Sequence, residues 1–285
     1  LLFAQFTLRE AISKRLVLSV VLLTLVFIAF YLLGVYFLEQ RFLERARDLG
    51  SSRVRATPEE FVSLLLVMGM YIANVLGVLM GGLSSVGSIS AEIESGTIQT
   101  ILPKPVRRLE FVLGRWLGFS ALTTLYVIAL SAALLLGVQW IGGYAPPNPV
   151  RAVALMSLGA LSVVTVAVLG SAVLSTLANG ITVALLYGLS WVGGLLETIG
   201  RATDTPLLVT MSGISKILAP NDALWKGASY HLQPESLLQL AQVTRGGGNP
   251  FVGNAPVAPE TLVWAVAYIV LVLGLAVMAF NKRDL

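Results

Sequence analysis

The residues of this chain that could take part in chemistry are few, and their densest group is short. From Ser90 to Arg108 the sequence reads SAEIESGTIQTILPKPVRR: Glu92 and Glu94 precede a Ser-Gly-Thr break, and Lys104, Arg107 and Arg108 sit among two prolines at its end. Carboxylates and guanidiniums at such density pair with opposite charges on a partner, and the cations also pair with lipid phosphates. Elsewhere the inventory is sparse. The absence of cysteine excludes a disulfide framework and a thiolate metal site, and the single histidine, His231, excludes a multi-histidine site. No Ser/His pair, paired aspartates or metal-binding histidine set falls within the apolar stretches, so no catalytic residue and no metal ligand is expected. The sequence holds no G-x-x-x-x-G-K-[ST] phosphate loop, so ATP hydrolysis is not expected on this chain.

The elements that carry the segment are apolar. Of 285 residues, 56% are hydrophobic and 12% charged, against roughly 25% charged in a soluble domain. The apolar residues lie in long runs, and the fold class expected is all-α integral membrane. A hydrocarbon core about 30 Å thick takes about 20 helical residues to cross. Six spans are expected, at about 16–38, 61–88, 111–140, 151–177, 181–196 and 261–280. The fourth and fifth divide one uncharged run, Ala152–Leu196, at Asn179-Gly180, where glycine favours a left-handed stop. The first run is too long for a signal-peptide core and no cleavage site follows it. Residues 1–15, LLFAQFTLREAISKR, are amphipathic and read as an interfacial helix. Residues 39–60 read as a charged helical extension of the first span, supported by i,i+4 pairs. Arg115, near one end of the third span, is expected to snorkel.

With six spans both termini share a side, together with the 89–110 connection. The Lys/Arg count does not orient the chain, at nine on the terminal side and ten on the other. Charge density favours cytoplasmic termini, because the long 197–260 loop dilutes its share. The net charge of +4 is small and its residues flank apolar runs, which points to membrane lipid and away from nucleic acid.

Within 89–110, Ile89–Glu94 can continue the second span. Gly96 then stops the helix, Thr97 can cap a short new one over Ile98–Leu102, and Pro103 and Pro105 end it. Such a segment reads either as an ordinary solvated loop or as a docking element for a soluble partner.

Inside the spans only weakly polar groups remain, among them Asn74, Ser84 and Ser85 on the second span and Tyr187 and Ser190 on the fifth. For Ser and Thr the ordinary role is hydrogen bonding within and between helices. Asn74 is the best single candidate for lining a path. The 197–260 loop is expected to lie outside the membrane as short surface helices. PLLVTMSGISKILAP places Leu207, Met211, Ile214 and Leu218 on one face, Asn221 or Asp222 can cap a second piece, and Pro234 can start a third. The remainder, TRGGGNPFVGNAPVAPE, reads as linker. Trp140, Tyr144, Trp225 and Tyr230 read as interfacial aromatics.

The pattern SISAEIESGTIQTILPKPVRRLEFVLGRWLG resembles the region between the second and third helices of ABC-2-type transporter permeases. The matching positions are Glu92 and Glu94, Gly96-Thr97, Pro105, Arg108 and Gly114-Arg115. The start FTLREAISKR, the end FNKRDL and the order of six spans with a large loop before the last are similar too. The resemblance implies a membrane subunit that works with a second permease copy or a related permease and with two separate ATPase subunits, which hold ATP and Mg. It implies that the 89–110 segment is the cytoplasmic coupling helix, with Glu92, Glu94, Gly96, Thr97, Ile98, Ile101, Pro105, Arg107 and Arg108 at the ATPase interface. It also implies that the amphipathic N-terminus joins that contact, and that the second and fifth spans face a central route.

The function expected is therefore export of an amphipathic, lipid-like, drug or peptide substrate from the cell membrane. The alternatives are a permease for cofactor or metalloenzyme maturation, or a membrane scaffold without transport. An extracytoplasmic partner could dock on 197–260.

Overall fold

The computed structural model describes residues 15–49, 57–94, 108–243 and 249–282. Among the described residues there are ten helices, α1 (Arg15–Leu49), α2 (Pro58–Ser85), α3 (Ser90–Glu94), α4 (Arg108–Gly142), α5 (Pro149–Val173), α6 (Thr176–Ala202), α7 (Pro206–Leu218), α8 (Asn221–Tyr230), α9 (Glu235–Val243) and α10 (Pro259–Asn281). Among the described residues there is no strand. Six of the helices, α1, α2, α4, α5, α6 and α10, are long and apolar enough to cross a membrane. The expected interfacial helix at 1–15 and the coupling-helix residues Gly96, Thr97, Ile98, Ile101, Pro105 and Arg107 lie outside the described residues, apart from Arg15.

Proline opens four helices, at Pro58, Pro149, Pro206 and Pro259. Its missing N–H costs nothing at the first helical position, where that group has no partner in the helix. Before α2, Thr57 accepts from the Glu60 N–H and the Glu60 carboxylate accepts from the Thr57 N–H, a reciprocal capping box. Thr57 is extended and starts a new helix, so the expected extension of the first span stops short of residue 60. Up to Leu49 that extension is helical, and the Phe42 ring stacks on Phe61 of α2 with centroids 4.5 Å apart.

Two further breaks differ from expectation. The second span continues toward Glu94 only with an interruption: α2 ends at Ser85, residues 86–89 turn, and the chain is helical again over Ser90–Glu94. The fourth and fifth spans part at Leu174-Ser175, not at Asn179-Gly180. Ser175 is extended and its hydroxyl accepts from the Ala178 N–H, so the cap acts five residues earlier than the glycine. Asn179 sits within α6, with its side chain committed elsewhere, and α6 continues past Leu196 to Ala202.

Helix α5 lies at the centre, against α2, α4, α8 and α10. Gly77 and Gly81 let the helices close up: a Cβ at Gly77 would stand 2.7 Å from a Val127 methyl of α4, and one at Gly81 would stand 2.9 Å from a Val164 methyl of α5. Helix α1 is peripheral, with Leu22, Leu25, Phe30 and Leu33 exposed along it. In a membrane protein such side chains face lipid or another chain.

The three short helices expected before α10 are present, but one of them is not on the surface, and residues 249–258 of the expected linker pack against it. Helix α8 is inserted against α5, with Leu224, Trp225, Ala228 and Ser229 buried. The Trp225 indole donates to the Phe251 carbonyl (2.7 Å), Gln233 donates to the Gly253 carbonyl (2.8 Å), and the Gly253 N–H donates to Ser229 (2.8 Å). The reason is buried polar backbone, which must find partners and finds them in the stretch expected to be linker. Trp225 and Tyr144 are therefore core residues, the latter donating to the Leu232 carbonyl (2.8 Å), while Trp140 is 91% exposed. Neither Asn221 nor Asp222 caps α8, whose N-cap is Pro220. On α7 the face formed by Leu207, Met211, Ile214 and Leu218 is exposed as its spacing requires.

Candidate functional site

Two sites emerge, one at the turn after α2 and the other midway along α2 and α6. The first gathers the residues that flank segment 95–107. Glu92 of α3 forms an ion pair with Arg115 of α4, and both side chains are largely buried. The Arg115 guanidinium also lies 5.6 Å from the Phe111 ring centroid. Arg115 thus turns inward to a carboxylate and does not snorkel: a buried guanidinium is stable only when paired. On the far side of the segment, Arg108 donates to the carbonyls of Phe280 (3.1 Å) and Asn281 (3.0 Å). These carbonyls belong to the last turn of α10, where a cation satisfies groups the helix cannot.

The turn after α2 is tied to the α5–α6 break as well. Asn179 donates to the Val86 carbonyl and to the Ala167 carbonyl, both at 2.7 Å. The Ser88 and Ser171 hydroxyls meet at 2.7 Å, and those of Ser90 and Thr176 at 2.8 Å. Sequence reasoning assigned Asn179 to a turn because Asn-Gly is a turn dipeptide. Its contacts lie far along the chain, and no local signal reports them.

The second site is a narrow chamber between α2, α6 and α8, lined by Tyr71, Asn74, Tyr187, Ser190, Trp191, Asn221, Asp222 and Trp225. Ser190 donates to the Ala219 carbonyl (2.8 Å) and accepts from the Asp222 N–H (3.0 Å), which fixes the start of α8. Asn221 donates to the Gly159 carbonyl of α5 (2.9 Å). Behind the chamber runs an ionic network. Lys226 bridges Asp222 (2.9 Å) and Glu197 (3.4 Å), and Glu197 also receives Lys216 (2.7 Å) and Arg201 (3.0 Å). Burial pushes the Asp222 carboxyl up from its usual range, against the pull of Lys226. His231, at the end of α8, is held below the usual histidine value by burial and by Arg151. Among the described residues no cluster of His, Asp and Glu could hold a metal ion.

Residues 8–285 match the family model for the ABC-2 family transporter protein. The chain belongs to the ABC-2 transporter family. No curated protein matches it. As an ABC-2 family member it is a multi-pass membrane component of transport, not itself a catalyst, and membership implies pairing with an ABC ATPase subunit.

The ABC-2 fold brings some of the expected residues together and separates others. Asn74, Tyr187 and Ser190 converge on the chamber from two helices. Ser84 and Ser85 do not reach it: both hydroxyls donate to the Gly81 carbonyl one turn back, the ordinary role of a buried serine in a helix. Of the interface residues, Glu92 and Arg108 are fastened within the chain, and Glu94 ends α3. Asp222, Trp191 and Trp225 complete the chamber unforeseen. Asp222 lies in a stretch that reads as a surface loop, and only the insertion of α8 carries it inward.

Proposed function

We propose that this chain is the permease subunit of an ATP-driven exporter, coupled through segment 89–110 to a separate ATPase subunit that holds ATP and Mg. The working unit contains a second permease, identical or related, and both termini are cytoplasmic in the cell membrane. The substrate is amphipathic, in the range of lipids, drugs and hydrophobic peptides. The uncharged run from Ala152 to Leu196 supports this, since carriers of naked ions use charged groups within their spans.

The observation that carries the reading is the double fastening of the segment. Glu92–Arg115 holds its near side and Arg108 on α10 holds its far side. A displacement of residues 95–107 therefore acts on α2, α4 and α10 together, and Asn179, Ser88 and Ser90 pass it to α5 and α6. Docking itself rests on Ile98 and Ile101, because exposed ion pairs stabilise by only about 0–1 kcal/mol each.

Two measurements test this. A Glu94→Lys variant should insert normally yet lose transport while the ATPase continues to turn over. Photocrosslinkers at Thr97 and Ile101 should capture the ATPase subunit; adducts with lipid alone would refute the assignment.

A further inference from the structure

The ionic network has a space on either side. Asp222 faces the chamber, while Glu197, Lys216 and Lys226 line the wall of a polar cavity of about 1090 Å³, bounded by the end of α6, α7, α8 and residues 249–258. The two spaces follow each other along α6: Tyr187, Ser190 and Trp191 line the chamber, and Glu197, Gly200 and Arg201 line the cavity. Between them lie Gly193 and Gly194, where the neighbouring helices press directly on α6. A Cβ on Gly193 would collide with the Ser215 hydroxyl of α7, and one on Gly194 with the Asp222 carboxylate of α8. At this seam the Lys226 ammonium donates to the Gly194 carbonyl (3.0 Å) and pairs with Glu197 (3.4 Å).

The network divides into two halves. On α6 and α7, Glu197 keeps Arg201 (3.0 Å) and Lys216 (2.7 Å). On α8, Lys226 keeps Asp222 one turn away (2.9 Å). Among the described residues the ion pair that crosses between the halves is Lys226 with Glu197, the longest of the network. Parting a buried pair is costly when a charge is left alone. Here each charge keeps a partner in its own half, so the crossing contact can open without stranding one. The packing agrees. Helix α8 is fixed to α5 by Asn221 and by the buried side chains of Leu224 and Ala228. Helix α7 packs chiefly on α6. Past Val183 the fully buried residues of α6 are Ser190, Gly193, Gly194, Glu197 and Gly200, none of them with a large apolar side chain. The half formed by α6 and α7 is thus held to α8 mainly by polar contacts, which water can replace.

We propose that the Lys226–Glu197 contact is a gate between the chamber and the cavity, which opens when α6 and α7 part as one body from α8 at Gly194. The proposal rests on the permease reading, which makes the chamber part of the route and the cavity its outer mouth, and it names the residues that close that route. The junction Ala219-Pro220, which joins α7 to α8, is the hinge. Gly193 and Ser215 travel together within one half, whereas Gly194 and Asp222 separate across the seam.

The test labels Asn74→Cys, on the chamber wall, with a small membrane-impermeant methanethiosulfonate added outside intact cells; the chain has no other cysteine. Labelling should be slow in this parent. Lys226→Met removes the crossing contact and should speed labelling about ten- to hundredfold, the loss of a hydrogen bond to a charged group. Gly194→Ala wedges the seam and should speed it as well. That variant keeps every charge, so the test stays decisive if Lys226→Met misfolds. Lys216→Met removes a pair within one half and should leave the rate unchanged. Labelling of Ala255→Cys, on the cavity wall, should be the same in all three backgrounds. A rate unaltered in Gly194→Ala, or raised equally by Lys216→Met, would overturn the gate and leave the network a static clasp. Crosslinking of Thr97 to an ATPase separates the two readings: capture without a change in labelling discards only the gate, and gated labelling without capture discards the coupling.

Discussion

A buried charge is decided by its partner. Glu92 and Arg115 were separately legible, one as an interface carboxylate and the other as a snorkelling cation, but not as a pair. Twenty-three positions separate them, and only the packing of α3 on α4 brings them together. Removing one partner leaves the other buried without compensation, which costs about 3–5 kcal/mol. Glu92→Ala should therefore lower the unfolding midpoint of the purified protein sharply, and the double variant Glu92→Leu/Arg115→Met should recover much of the loss. A full loss in both would mean that the pair is not what stabilises this end. Asn179 teaches the same lesson for a neutral group: its bonds to the Val86 and Ala167 carbonyls override the turn preference of Asn-Gly.

At the level of elements, the breaks follow capping chemistry more closely than composition. Ser175 divides the uncharged run because its hydroxyl satisfies an N–H that no preceding carbonyl can reach. The stretch 249–258 is held by bonds to α8 and to Gln233, and Gly253 makes the approach possible. A Cβ there would press on the backbone carbonyl of Lys226, which cannot rotate away. Gly253→Ala should thus detach this stretch from α8, at about 1–3 kcal/mol. Limited proteolysis reads the outcome: cleavage near Asn249 should appear in the variant and be absent from the parent.

For the molecule as a whole, six spans place the 89–110 segment and the 197–260 region at opposite ends of the bundle. The chain lacks cysteine, so single cysteines can report sidedness without a background. In intact cells a membrane-impermeant maleimide should label Ala255→Cys, and should reach Thr97→Cys only after the membrane is opened. Labelling of Thr97→Cys from outside would invert the orientation proposed here. Helix α6 also joins the turn after α2 to the chamber, a route by which a force at the first reaches the second. Asn179 fastens α6 near its start, and Ser190 fastens the same helix to the segment before α8 at its middle.

What the sequence by itself determined is the kind of solvent each segment meets. Runs of apolar residues specify membrane spans because crossing hydrocarbon depends on length and hydropathy, which are local properties. The family pattern around Glu92, Gly96-Thr97 and Arg108 was legible for the same reason. Only the tertiary structure decided the pairing of Glu92 with Arg115, the burial of Trp225 and the entry of Asp222 into the chamber. Those depend on which helix lies beside which, and in a membrane every apolar face looks alike to lipid until close packing and buried hydrogen bonds choose between neighbours.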